Sequence, residues 1–130
     1  MIVVDASAAV EWLLHSAAGD RVAERIFSRP QELHAPHLLD LEVTQALRRA
    51  VTAGTLSLSR ATEGLQDYLD LPIVRHSHEP ILWRIWDLRD NLVAYDAAYV
   101  ALAESLGATL LTCDAKLRDA SGHSARVEVV

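Results

Sequence analysis

The chain has 130 residues, 51% of them hydrophobic, and its 12 basic and 18 acidic side chains give a net charge of −6. One folding unit of this length buries roughly two-thirds of its unfolded surface, enough for a core without covalent staples, and the single cysteine excludes an internal disulfide. The acidic balance excludes nucleic-acid binding by bulk phosphate neutralisation, but leaves open a site in which bound cations reverse the local sign.

Asp5 interrupts the first hydrophobic run after four residues. That is too soon for the apolar region of a signal peptide or a membrane span, so the expected setting is the cytoplasm. Residues 2–4 form a continuous β-branched run, the mark of a strand buried on both faces. Amphipathic segments follow at 7–14 and 19–28, and residues 33–35 read as a brief strand before Pro36. A long helix over 36–53 carries the stripe Leu39, Val43, Ala46, Leu47 and Ala50 and stops at Gly54. Ser57 or Ser59 caps the next helix, which ends near residue 71 ahead of Pro72. Residues 73–75 read as a strand. Residues 79–89 read as a helix, with Pro80 in its first turn and Leu82, Ile85 and Trp86 on one apolar face. Asp96 opens a helix to residue 106, with Gly107 as its stop. A strand at 109–112, a short helix at 114–120 and a strand at 126–130 complete the chain. This alternation predicts an α/β fold with a mainly parallel central sheet between helical layers, whose ligands gather outside the carboxyl ends of the strands.

Four acids stand at the ends of these elements. Asp5 closes the first strand, Glu42 lies beside the apolar stripe of the long helix, Asp96 opens its helix and Asp114 follows the fourth strand. Several hard oxygen ligands at one sheet edge suit Mg²⁺ or Mn²⁺. Each has a plainer reading: Asp5, Asp96 and Asp114 could simply cap helices. Glu42 resists this, because a carboxylate beside an apolar stripe must be paired, liganded or protonated, and no basic residue stands one turn away. Asp119 is a lesser candidate, better read as a solvated helix face. Asp40 is expected to be exposed, Cys113 a buried thiol, Lys116 to point away from the acids, and Trp83 and Trp86 to pack in the core or an interface. The histidines show no zinc spacing beyond His76-Ser-His78.

On these residues the chain resembles PIN-domain ribonucleases, specifically the VapC-like toxins of bacterial toxin–antitoxin pairs. The resemblance rests on Ile-Val-Val-Asp5-Ala-Ser7-Ala, on Leu-Leu-Asp-Leu-Glu42-Val, on Asn91 through Tyr95-Asp96-Ala-Ala-Tyr99 to Glu104, and on Leu-Leu-Thr112-Cys-Asp114-Ala-Lys-Leu, in an order that covers essentially the whole chain. It implies a three-layer α/β/α fold, one domain over residues 1–130, with Asp5, Glu42, Asp96 and Asp114 around Mg²⁺, for which Mn²⁺ substitutes. The metal would activate a water against an RNA phosphodiester. Ser7 and Thr112 would support the acids from behind, with Asp119 as an outer acid. It also implies a homodimer, a cognate VapB-like antitoxin and heterotetramers or larger assemblies with it. Arg49, Arg84, Arg89 and Tyr95 are candidate RNA contacts, whereas Tyr99 is expected in the core.

Two other classes remain. An α/β metal-dependent phosphatase would want a second acid where Ser7 stands, and the chain has no Gly-x4-Gly-Lys phosphate loop. A non-catalytic binding module would use the acids only as caps and would gain no stability from Mn²⁺.

Overall fold

The computed structural model describes residues 1–130. In chain order the elements are β1 (Ile2–Val4), α1 (Ala6–Leu13), α2 (Ala17–Phe27), β2 (Leu33–Pro36), α3 (Leu38–Thr52), α4 (Leu58–Asp70), β3 (Ile73–His76), a 3-10 turn (Glu79–Ile81) running into α5 (Leu82–Asp87), α6 (Ala94–Leu106), β4 (Thr109–Thr112), α7 (Ala115–Asp119) and β5 (Arg126–Val129). All five strands are parallel and lie in the order β3-β2-β1-β4-β5.

The apolar runs explain the layering. Ile2, Val3 and Val4 are all buried, as are Leu33, Ala35, Leu110 and Leu111, so the central strands are covered on both faces. Helices α1 to α4 pack on one another on one side, and α5 and α6 form the other layer, with α6 lying across β1, β2 and β4. In α6 the stretch from Ala97 to Ala103 is buried all round, so no one-sided stripe marks it, and its acidic start and glycine stop are what identify it in the sequence. Gly107 closes it at φ 61, a left-handed conformation that glycine adopts without a Cβ penalty. No helix is long and apolar enough to cross a membrane.

The expected helix over 79–89 is broken. Ile81 leaves helical geometry at φ −109, ψ 6, between the 3-10 turn and α5. The buried positions here are Ile81, Ile85, Leu88 and Leu92, spaced four, three and four, and this stripe is what faces α6. Leu82 and Trp86 therefore turn outward, and Trp83 is 83% exposed, so neither tryptophan belongs to the core. Asp40 is not a free surface acid: Arg75 donates to it at 2.8 Å and Tyr68 donates through its hydroxyl, tying α3 to β3 and α4.

The strand order reverses between β1 and β4, and such a switch point leaves a crevice outside the carboxyl ends of the two strands. Val4 pairs with Leu111 at this place. Asp5 follows β1 directly, and Asp114 follows β4 after Cys113.

Candidate active site

Asp5 is only 5% exposed, and its surroundings account for its staying there. Ser7 donates to Oδ1 at 2.7 Å, the Ala8 amide donates to the same oxygen at 3.0 Å, and Thr112 donates to Oδ2 at 2.6 Å. Both hydroxyls are themselves fixed from the neighbouring loop: the Cys113 amide donates to Ser7 Oγ and the Asp114 amide to Thr112 Oγ1, each at 2.9 Å. The N-cap of α1 is thus also the anchor between β1 and β4. Burial pushes the Asp5 carboxyl up, the Thr112, Ala8 and Ser7 donors oppose that, and repulsion from Asp114 adds to it. A carboxylate oxygen accepts two hydrogen bonds in its plane, so Oδ1 is filled and Oδ2 keeps one acceptor position open.

Glu42, half-buried on α3, is met by the Tyr99 hydroxyl, which donates to Oε1 at 3.0 Å from α6. Burial raises the Glu42 carboxyl, the tyrosine opposes, and Asp96 and Asp5 raise it further by repulsion. Tyr99 itself is 2% exposed, a core residue and not a surface contact. Its own hydroxyl is pushed up by burial and by Glu42, so it remains a donor. We expect Tyr99→Phe to lower activity about tenfold while stability changes by no more than about 1 kcal/mol. Rates alongside thermal melts check this; an unchanged rate would show that Glu42 needs no positioning.

Asp96 lies in the first turn of α6 and is half-buried. Burial raises its carboxyl, Lys116 opposes, and Asp114 raises it again. Asp114 caps α7 through the Lys116 amide at 3.0 Å. The Lys116 side chain does not point away: its Nζ stands 3.3 Å from Asp114 Oδ2 and 3.7 Å from Asp96 Oδ2. The four acids therefore come from the end of β1, α3, α6 and the end of β4; Asp5 is repelled by Asp114, Glu42 by Asp96 and Asp5, and Asp96 by Asp114, with one ammonium beside Asp96 and Asp114.

In front of them opens a cleft of about 810 Å³ lined by Ser7, Glu42 and Asp96, with Arg49, Tyr95 and Lys116 on its walls. Arg49 and Tyr95 thus face the acids. Arg89 does not: its guanidinium lies 4.9 Å over the exposed Trp86 ring, in a separate recess that meets the cleft only through Val93. Arg84 is taken up by Glu104 at 2.7 Å. Asp119 is exposed and paired with Arg118 at 2.8 Å, in a shallow recess shared with Asp96 and Lys116. Cys113 is half-buried, with burial and then Asp5 pushing its thiol up, which makes it a poor nucleophile. Glu11 on α1 also lines the cleft. Sequence reasoning missed it, and only its place on the Ser7 side of an amphipathic helix could have marked it.

No three His, Cys, Asp or Glu side chains stand close enough together to hold an ion as placed. The donor set nevertheless suits a hard cation: all its atoms are carboxylate oxygens, Asp5 Oδ2 keeps an open position, Asp96 is met only by Lys116, and that ammonium already occupies the ground between two acids. Where a phosphatase would need its second acid, the Ser7 hydroxyl is committed to Asp5.

The PIN domain family model matches residues 2–122. Ribonuclease VapC12 of Mycobacterium tuberculosis is 43% identical over 130 residues, which is 100% of this chain and 99% of that protein. Ribonuclease VapC9 of the same species is 40% identical over 130 residues, 100% of this chain and 98% of its own length. Among solved structures, VapBC2 from Rickettsia felis, bound to a DNA fragment from its promoter, superposes with a TM-score of 0.73 at 13% identity, covering 99% of this chain and 98% of that one. The chain belongs to the PIN-domain family and, within it, to the VapC ribonucleases.

Proposed function

We propose that this chain is the toxin of a toxin–antitoxin pair, an endoribonuclease that holds Mg²⁺, or Mn²⁺ in its place, on Asp5, Glu42, Asp96 and Asp114. PIN-domain ribonucleases are metal-dependent. What carries the reading onto these residues is one observation: four acids from four elements stand near enough to act on one another's charge, Glu42 and Asp96 lining the cleft, and burial and repulsion from neighbouring acids raise Asp5, Glu42 and Asp96. A bound cation would relieve that repulsion. When bound, the ion supplies Lewis-acid stabilisation of the phosphorane charge and a water of lowered pKa. The chain's own part is placement. Ser7 and Thr112 hold Asp5, Tyr99 holds Glu42, Arg49 meets an incoming phosphate on the cleft wall, and Tyr95, 65% exposed, offers a ring on which a base can stack. Asp119 would serve only as an outer acid, and Arg89 only for RNA running past Val93.

The whole of residues 1–130 would act as one domain, in the cytoplasm, where its RNA is. A VapB-like antitoxin would hold it inactive in a heterotetramer or larger assembly. Leu82, Trp83, Trp86 and Val93, each more than half exposed, form the apolar face on which a second copy would pack into a homodimer.

The test is incubation of the purified, antitoxin-free chain with total bacterial RNA in Mg²⁺, in Mn²⁺ and in EDTA. Discrete fragments are expected in the metal lanes alone; uncut RNA throughout, from a folded chain, would overturn the reading. The same carboxyls set the pH dependence. Their raised values mean that protons compete with the cation above the ordinary 3.8 of Asp and 4.5 of Glu. Affinity for Mn²⁺ is therefore expected to fall on acidification before those values are reached, in titrations at stepped pH. A midpoint at or below them would contradict the packing described.

A further inference from the structure

Of the chain's twelve basic residues eleven are arginine, and Lys116 is the only lysine. It stands where its ammonium touches Asp114 Oδ2 at 3.3 Å and Asp96 Oδ2 at 3.7 Å. These two acids are contributed by separate elements, α6 and the end of β4, and each raises the charge burden of the other's neighbourhood. Lys116 lies on the cleft wall itself. Its side chain is 66% exposed, so a flexible four-carbon stem can carry the ammonium out into water without disturbing any packing. Among the cations of the chain no other touches any of the four site acids.

We propose that Lys116 is a tethered counter-cation of the acidic cleft: it bridges Asp96 and Asp114 when no divalent ion is bound, and must release them for one to bind, so that it sets the metal affinity of the site. This rests on the reading of the four acids as a cation site. The residue type matters. An ammonium is a compact, strongly hydrated point charge that leaves a carboxylate readily, whereas a guanidinium grips one with two parallel hydrogen bonds. Lysine gives a bridge that divalent charge can displace; arginine would give a clamp. The role is distinct from capping, because the cap of α7 is made by the Lys116 backbone amide to Asp114 Oδ1, which every side-chain substitution keeps. One release step follows. The two ammonium–carboxylate contacts break and the ammonium is rehydrated, which frees Asp96 Oδ2 and Asp114 Oδ2, the oxygens that would hold the ion.

The test compares the parent with Lys116→Met and Lys116→Arg in low salt, by thermal melts of the metal-free proteins and by Mn²⁺ titration followed by electron paramagnetic resonance. For Lys116→Met we expect opposite signs in the two readouts. The metal-free melt falls by a few degrees, since the acids lose their counter-charge, while Mn²⁺ binds about fivefold more tightly, the scale of losing one or two exposed ion pairs. For Lys116→Arg the metal-free melt is kept and Mn²⁺ binds no more tightly than to the parent. A merely structural lysine would move the melt and leave the affinity alone. Equal Mn²⁺ affinity in parent and Lys116→Met, or weaker affinity in Lys116→Met, overturns the inference and leaves the acidic site standing. No Mn²⁺ bound by the parent or by either variant overturns both.

Discussion

Asp96→Asn is expected to lower RNA cleavage by at least about a hundredfold while the fold stays intact. Groups that merely orient a metal ligand are worth about 10- to 100-fold, and a carboxylate that supplies the ligand oxygen is worth more. The substitution is nearly isosteric, and Asp96 accepts from no backbone amide and meets only the Lys116 ammonium, in an ion pair at 3.7 Å, so little structure depends on its charge. Burial and Asp114 both disfavour that charge. Its removal should leave the metal-free melting temperature unchanged or raise it, as happens where function is held against stability. Asp5→Asn is a poorer probe. Ser7, Ala8 and Thr112 all donate to Asp5, and an amide nitrogen turned toward any of them would set donor against donor in a buried site. Cleavage assays and melts of Asp96→Asn measured together decide the matter. A variant that cuts as fast as the parent removes Asp96 from the site; one that loses both cutting and fold shows the charge to be structural.

The acids at strand and helix ends were legible in the sequence because strand termini are written locally. A β-branched run that stops at Asp5, or a run that stops at Thr112 before Asp114, marks the sheet edge whatever the rest of the chain does. The partners of those acids were legible only in part. Ser7 stands two residues from Asp5, but Tyr99 donates to Glu42 across 57 positions, and helical periodicity says only that Tyr99 is inward. The sequence leaves the direction of Lys116 open, because spacing along a five-residue helix does not fix a long exposed side chain, whereas two facing carboxylates do. Residues 79–89 are ambiguous in sequence for another reason. Ile81, Ile85, Leu88 and Leu92 make one apolar stripe, Leu82 and Trp86 with Ile85 make a second, and only packing against α6 decides between them. Arg89 turned out to belong to the exposed face with Trp86, outside the acidic cleft.

Gly19→Ala is expected to destabilise the protein by about 3 kcal/mol, lowering its melting temperature by roughly 10 °C. A Cβ at Gly19 would stand 2.1 Å from the Glu11 carbonyl oxygen and 2.6 Å from its carbon. Both are backbone atoms, which no rotamer change can move aside. Helices α1 and α2 meet at this point. The corner is closed by Ser16, which accepts from the Gly19 amide at 3.0 Å and donates to the Glu11 carboxylate. Relief of the clash therefore means pushing α1 away from α2. Helix α1 carries Ser7, Val10 and Glu11 along the cleft wall, so activity should fall with stability at this position, although Gly19 touches no site acid. Gly64→Ala supplies the contrast. It lies inside α4, where an added Cβ meets Arg60 Nη1 at 3.5 Å and Leu47 Cδ2 at 3.8 Å, ordinary contact distances. There alanine relieves the backbone entropy of a helical glycine and should stabilise by about 0.5–1 kcal/mol. Paired melts of the two variants test the α1–α2 contact directly. Opposite signs follow from a backbone-to-backbone approach at Gly19 alone; a Gly19→Ala protein as stable as the parent would mean that the two helices are not held that close.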